Sequence, residues 1–319
     1  MKLPIKANPY QHQKIAFNFA LQKLEEQGCA ALLMDMGLGK SLTSIAITGQ
    51  LFNDKKIERV LVICPTSIIG VWLEEFKKFA DFDYCIEAII GTTMSKRKDK
   101  LKLLCHKIGL KVAIINYEAT WRMEKELNIY KPDIIICDES QKIKNPSASQ
   151  SKTIHRLGVK AKYKIILTGT PVQNSPMDVF SQWKFLDPNI FGLSFYAFRN
   201  HYAVMGGYYN HQILRYKNMD ELTSKAHSVA YRITKEEALD LPEQIFLNRY
   251  CELESTARKI YDTVVKESYA ELMDGEITAT NVLTKLMRLS QIAGGHVKDD
   301  EGRMQVISKS KLNELKDIM

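Results

Sequence analysis

The strongest constraint on this chain is a series of short, uninterrupted apolar runs separated by stretches with helical spacing. VLVIC and DIIIC are continuous rather than alternating, as a strand must be when helices cover both faces of its sheet. Strands of this kind belong to parallel sheets, because each parallel crossover lays a helix on one face. The strand candidates are Ala30–Met34, Arg59–Cys64, Cys85–Ile90, Lys111–Asn116, Asp133–Cys137 and Lys164–Leu167, several of them continuous runs of this kind. Beyond about Pro188 the texture changes. Phe191–Tyr202 is aromatic, Val204–Asn218 reads as a hairpin around its glycines, and helices dominate from Glu254 onward. The stripe Ala257, Ile260, Tyr261, Val264, Val265 and Tyr269 reads as packing surface.

Composition narrows the class. A chain of 319 residues suffices for one large or two ordinary domains. Its 45% hydrophobic and 26% charged content is that of a soluble globular protein. No apolar run has the length of a membrane helix, and the N-terminus (MKLPIKANPYQHQK) is too polar for a signal peptide. The six cysteines show no CxxC pair and no zinc-like spacing, which points to reduced thiols in a cytosol-like compartment. The net charge of +8 is a mild bias toward polyanionic partners. Lysine-rich Met94–Lys107 reads as a solvated helix with Leu101, Leu103, Leu104 and Ile108 partly buried, rather than as a nucleic-acid contact.

Chemistry enters at LLMDMGLGKS, Leu32 to Ser41, between the first strand and a helical pattern over Lys40–Phe52. A phosphate loop usually has glycine six residues before its lysine; here that place holds Met34. The rest of the loop is intact. Gly37 and Gly39, on either side of Leu38, let the backbone turn tightly and aim N–H groups at an anion on a helix N-terminus. Lys40 would reach the β- and γ-phosphates of a nucleotide, and Ser41 would ligate Mg²⁺. Taken alone, the stretch is also a strand–turn–helix connection with an exposed lysine. DIIICDESQKIKN supplies the other half of a site. Asp138 would hold Mg²⁺ at the strand's carboxyl end, and Glu139 would orient or deprotonate an attacking water. Downstream, KIILTGTPVQN ends a strand in a polar turn, where Thr168 and Thr170, flanking Gly169, would sense the γ-phosphate. Such a turn is also simply a turn.

PYQ (Pro9–Gln11), DMGLGKS, VICPTSIIGVWLEEFKKF, DESQKIKN, LTGTPVQN and YRITKEEALDLPEQ follow one another in this order. With these motifs the chain resembles, over nearly its whole length, the Swi/Snf-type DNA-dependent ATPases of helicase superfamily two. The LTGTP form sets it apart from the RNA-helicase branches, which usually carry Ser-Ala-Thr at that place. The resemblance implies an α/β fold: a RecA-like P-loop domain with a central, mostly parallel sheet flanked by helices, plus a helical insertion and linker region. It implies ATP with Mg²⁺, and duplex DNA as the polymer along which the enzyme moves. It places Gln11 at the adenine edge with Tyr10 nearby, and Pro65, Thr66, Ser67 and Tyr117 along the DNA backbone. Gln141 stands where the family usually has histidine. Glutamine also donates and accepts, so a link between ATP and DNA is expected to survive with altered tuning.

The same resemblance divides the chain into an ATP-binding first lobe (1–188), a helical and hairpin extension (189–243), and a helical linker with the first helix of a second lobe (244–319). The second lobe's motifs, with the arginines that complete the ATP site, have no counterpart in the sequence. A fragment with little ATPase activity of its own is therefore expected. The compact layout suggests a bacterial or phage version acting in the cytoplasm, with no membrane and with a nuclease or a replication or repair protein as partner. Two other readings stand beside this one. The first is an RNA helicase or restriction-type translocase of the same superfamily. The second is a non-catalytic nucleotide-binding scaffold, against which the intact Lys40, Asp138 and Glu139 argue.

Overall fold

A computed structural model of the protein describes residues 3–207, 209, 212–240, 247–273, 279–298 and 303–318. The chain forms two compact units, Met1–Leu241 and Pro242–Met319.

The first unit is built on the expected strands, β1 (Cys29–Met34), β2 (Arg59–Cys64), β3 (Tyr84–Ala88), β4 (Leu110–Asn116), β5 (Ile134–Asp138) and β6 (Tyr163–Thr168). The hairpin forms as an antiparallel pair, β7 (Ala203–Gly206) with β8 (Gln212–Tyr216). A further strand, β9 (Ala230–Ile233), was not among the expected ones. It completes a seven-stranded sheet in the order β3-β4-β2-β5-β6-β1-β9, parallel throughout. The sheet therefore does not close before residue 189. The stretch expected to be an extension returns to it, pairing Ala230–Ile233 with Ala31–Met34.

Period-two alternation along each strand feeds two cores. Val60 and Val62 pack on the face that holds Phe17, Ile45, Trp72 and Phe76. Leu61 and Ile63 face Leu127, Ile154 and Trp183. Helices α1 (Gln11–Gln27), α2 (Lys40–Asn53) and α3 (Ile69–Phe79) supply the first set, so the strand–loop–helix units that carry the motifs cover one face. The lysine-rich helix α4 (Met94–Cys105) buries Leu101 and Leu104, as its spacing predicts. Leu103 and Ile108 depart from the prediction, being 66% and 93% exposed. Leu103 points off the buried face, and Ile108 lies past the end of the helix.

A satellite cluster of Phe180, Phe198, Tyr202 and Leu222 holds the aromatic segment against the rest of the first unit. In the second unit, helices Ser255–Met273 and Ala279–Ala293 precede an antiparallel pair, β10 (His296–Lys298) with β11 (Met304–Val306), and a helix over Ser310–Lys316. Along the expected stripe Ala257 is fully buried, Ile260, Tyr261 and Val264 are half-buried, and Val265 is exposed. The side chain of Tyr269, and the Leu241–Gln244 part of the YRITKEEALDLPEQ motif, lie outside the described residues.

Candidate active site

The carboxyl ends of β1, β5 and β6 lie side by side, because β6 pairs with both neighbours: Leu33 with Thr168, and Asp138 with Leu167. Three of the motifs therefore meet at one edge of the sheet, where open parallel α/β sheets bind their ligands.

Met34 explains the missing glycine. It is the last residue of a regular strand, its side chain is fully buried in the core, and its φ is not positive, so nothing there requires glycine. The turn is made at Gly37 and Gly39, with φ of 88° and 82°. Gly39 is doubly constrained, since a Cβ there would come within 2.4 Å of Gln13 Nε2. As N-cap of α2 it offers no side chain, and the first turn of the helix contains no acid. The leading N–H groups of α2 are thus left for an anion. Lys40 lies back over its own loop, its Nζ donating to the carbonyls of Met34 (2.7 Å) and Asp35 (3.2 Å). Burial holds its pKa below the usual lysine value, opposed by the charges of Glu139, Asp138 and Asp35. Ser41 is half-buried in the first turn beside it.

Asp138 is 6% exposed, and both of its oxygens are engaged. The Trp72 indole N–H donates to Oδ2 (2.9 Å), and the backbone N–H of Glu139 donates to Oδ1 (3.0 Å). Burial pushes its pKa up to about 6, against the pull of the Trp72 hydrogen bond. Glu139 takes φ of 52°, a left-handed conformation uncommon for a non-glycine residue. Its carboxylate accepts from Gln141 Nε2 (2.6 Å), and Gln141 Oε1 accepts from Thr168 Oγ1 (2.8 Å). Thr168 Oγ1 in turn accepts from the backbone N–H of Thr170 (3.0 Å). One continuous chain of hydrogen bonds therefore joins Glu139 to the TGT turn, and glutamine at 141 uses both ends of its amide to make it. Gly169 lets that turn close on the phosphate loop, for a Cβ there would sit 3.3 Å from the Met34 carbonyl.

Among the described residues no cluster of three His, Cys, Asp or Glu side chains could hold a metal by itself. The donors expected from the sequence are Asp138 and the Ser41 hydroxyl. That suits Mg²⁺, which keeps several waters and is commonly held by one or two protein groups plus substrate phosphates.

The remaining expected residues fall into two groups. Thr66 and Ser67 are exposed and Pro65 half-buried, in the turn after β2. Tyr117 requires a correction. It is fully buried, and its hydroxyl donates to the Asp138 carbonyl (2.8 Å), so it braces the acidic turn and has no surface to lay along a nucleic-acid backbone. At the N-terminus, Tyr10 is 64% exposed and stacks on His12, with ring planes 9° apart. Gln11 is exposed, and the residues that reach the phosphate loop are its neighbours. Gln13 Nε2 and His12 Nε2 both bond the Leu38 carbonyl (3.1 Å each). Gln13 also caps the helix, its Oε1 accepting from the backbone N–H of Tyr10 (3.0 Å), half of a capping box. Sequence reasoning also missed Trp72 and Gln182. The fully buried Gln182 accepts from Ser140 Oγ (2.6 Å) and donates to the Pro171 carbonyl (2.8 Å), tying the acidic turn to the TGTP turn a second time.

Comparison with known proteins agrees with this geometry. The family described as SNF2-related domain matches residues 10–295. The chain is 27% identical over 317 residues to the putative ATP-dependent helicase/translocase YwqA of Bacillus subtilis, covering 97% of this chain and 33% of that protein. It is 26% identical over 297 residues to the TATA-binding protein-associated factor mot1 of Aspergillus fumigatus, covering 86% of this chain and 15% of that one. Among solved structures, the Sulfolobus solfataricus SWI2/SNF2 ATPase core in complex with dsDNA superposes with a TM-score of 0.61 at 28% identity, over 100% of this chain and 66% of that one. The chain thus spans a third or less of these two curated relatives.

Proposed function

The chain belongs to the SNF2-related domain family, and on that premise we propose that it forms the ATP-binding lobe of an ATP-driven translocase on duplex DNA. The observation that carries the reading is the hydrogen-bonded chain Glu139–Gln141–Thr168–Thr170 beside a phosphate loop closed by Lys40. A nucleotide-binding scaffold has no need of a tethered carboxylate at that place.

In this reading the free N–H groups of α2 and the Lys40 ammonium receive the β- and γ-phosphates. Lys40 exchanges the carbonyls of Met34 and Asp35 for phosphate oxygens as it does so. Asp138 and Ser41 hold Mg²⁺, which neutralises charge on the phosphates when bound. Trp72 keeps the Asp138 carboxylate in one orientation. Glu139 accepts a proton from, or orients, the water that attacks the terminal phosphate. Gln141 reports the state of Glu139 to Thr168, and through it to the TGTP turn. Thr66 and Ser67, exposed at the next strand end, contact the DNA backbone; Gln11 and Tyr10 lie by the adenine.

We further assign 1–188 to the first lobe, 189–243 to an extension that contributes β9, and 244–319 to a linker leading toward a second lobe. The free cysteines support a cytosol-like setting, which we take to be that of a bacterial or phage-infected cell.

The test is steady-state ATP hydrolysis with duplex DNA, single-stranded DNA or RNA, with ATP binding measured alongside. An arginine finger contributes about 10³–10⁵ in rate where a second lobe supplies one, so a low basal rate is expected for this lobe by itself. Stimulation by duplex DNA above RNA supports the proposal. Stimulation by RNA above DNA would favour an RNA helicase, and a folded chain that binds no ATP would contradict both.

A further inference from the structure

The YRITKEE stretch has no part in the mechanism above, yet the sheet brings it to the phosphate loop. β9 pairs in parallel with β1 as far as Met34 and Ile233, and the backbone N–H of Asp35 then donates to the Ile233 carbonyl (3.3 Å). Immediately beyond, the backbone N–H of Lys235 donates to Asp35 Oδ2 (3.0 Å). Asp35, the first residue of the loop, is thus held by both its backbone and its side chain to the turn that carries Lys235. A capping box between Thr234 and Glu237 fixes that turn in its own right.

The Lys235 side chain lies over the loop. Its Cε is 3.9 Å from the position a Cβ would take on Gly37, a residue whose φ of 88° keeps that place open. Asp35 binds the backbone of Lys235, and no ion pair between the two side chains is made, so the ammonium group is not engaged by that carboxylate. Two ammonium groups converging on one glycine-rich turn repel each other unless an anion lies between them. A polyphosphate in the loop is such an anion.

We propose that Lys235 is a second phosphate-binding cation of this site, reaching the terminal phosphates of a nucleoside triphosphate across Gly37 from the side opposite Lys40. The assignment rests on the nucleotide site proposed above. It gives β9 a purpose beyond closing the sheet: the edge strand delivers a charge to the loop, and the Asp35 bond sets its distance. It also gives the site a preference for a triphosphate that does not depend on Asp138.

The test uses Lys235→Met, which keeps the length of the stem and the backbone bond to Asp35 while removing the charge. Lys235→Arg restores the charge, and Lys40→Ala serves as the reference for the site itself. Dissociation constants for ATP and AMP are measured by calorimetry with Mg²⁺ present, and thermal melting confirms that each variant is folded. For Lys235→Met we expect ATP binding to weaken about 10-fold, the effect of losing one charge-assisted contact, with AMP binding unchanged. We expect Lys235→Arg to stay within about 3-fold of the wild type for ATP. A folded Lys235→Met that binds ATP as the wild type does, while Lys40→Ala fails to, overturns the inference and leaves the nucleotide site standing. Equal loss of ATP and AMP also overturns it, since it would show a structural role for the turn. Normal ATP binding by Lys40→Ala would instead bring down the site reading on which the inference rests.

Discussion

The carboxyl ends of β5 and β2 are neighbours in the sheet, yet they present opposite kinds of surface. At β5 the two acids and the glutamine are committed: Asp138 to Trp72 and the Glu139 backbone, Glu139 to Gln141, and Gln141 to Thr168. At β2 the turn shows Thr66 and Ser67 to solvent. The difference follows from what each end is proposed to handle. Phosphoryl transfer is catalysed chiefly by groups already in place when charge develops, whereas a polymer backbone is gripped by accessible donors whose contacts are individually weak. The two ends are also connected. Trp72 lies on α3, the helix that begins directly after the β2 turn, and its indole holds the Asp138 carboxylate of β5.

Substitutions at the committed end should therefore have large effects on chemistry, and those at the open end small effects on polymer affinity. The largest is expected for Glu139→Gln. In a protein that joins this lobe to a second one, it should lower hydrolysis by about 10²–10⁴ while leaving ATP binding intact, because the amide cannot accept the proton. Turnover measured beside calorimetry checks this, and wild-type turnover in the variant would remove Glu139 from the mechanism. Trp72→Phe should come next. It keeps most of the buried ring but withdraws a donor from a carboxylate, so the Mg²⁺ concentration needed for half-maximal ATP binding should rise about 3- to 10-fold. No change in Mg²⁺ demand would mean that the indole fills space and nothing more.

The acidic turn also predicts a pH dependence with a definite sign. The folded-state pKa of Asp138 is raised to about 6, above the usual carboxylate value of about 3.9. The folded chain therefore holds this proton more tightly than the unfolded chain does. The contribution to stability is fully present below about pH 4 and is lost as pH rises through about 6. Mg²⁺ with ATP needs the ionised form, so the rise in melting temperature on adding them should be larger at pH 7.5 than at pH 5.5. The reverse order would show that Asp138 does not face the cation. At the open end, Thr66→Ala and Ser67→Ala should each weaken duplex binding by about 2- to 5-fold, with ATP affinity unchanged. A Thr66→Ala variant that altered ATP affinity more than DNA affinity would break the distinction between the two ends.

What the sequence disclosed followed the same division between local and long-range determinants. Most of the six strands were legible because burial on both faces writes an unbroken apolar run, as in VLVIC; β3, a half-buried edge strand that includes Glu87, is the exception. AYRI was not legible, being a four-residue edge strand whose Arg232 is exposed, so its composition carries no such run. Lys40, Asp138 and Glu139, the residues proposed to carry the chemistry, could be placed at strand ends from the sequence because each follows directly on an apolar run or a glycine turn. Trp72 and Gln182 could not, since an indole in an amphipathic helix and a glutamine among apolar neighbours announce no partner. Those partners, Asp138 and Ser140, are 66 and 42 residues away and meet them only in the folded sheet. Tyr117 misled because it was placed by resemblance to the family and not by any signal of its own, and here its hydroxyl has a buried carbonyl to serve.

The central claim is that the loop from Asp35 to Ser41 binds phosphates although Met34 stands in the place of its first glycine. Amide hydrogen exchange on the folded chain, with and without ATP and Mg²⁺, reads those N–H groups directly. The account predicts new protection concentrated at Gly37 to Ser41 and at the Asp138–Gln141 turn, with little change at Thr66 and Ser67. ATP binding that protected some other part of the chain and left the Gly37–Ser41 amides exchanging freely would contradict it.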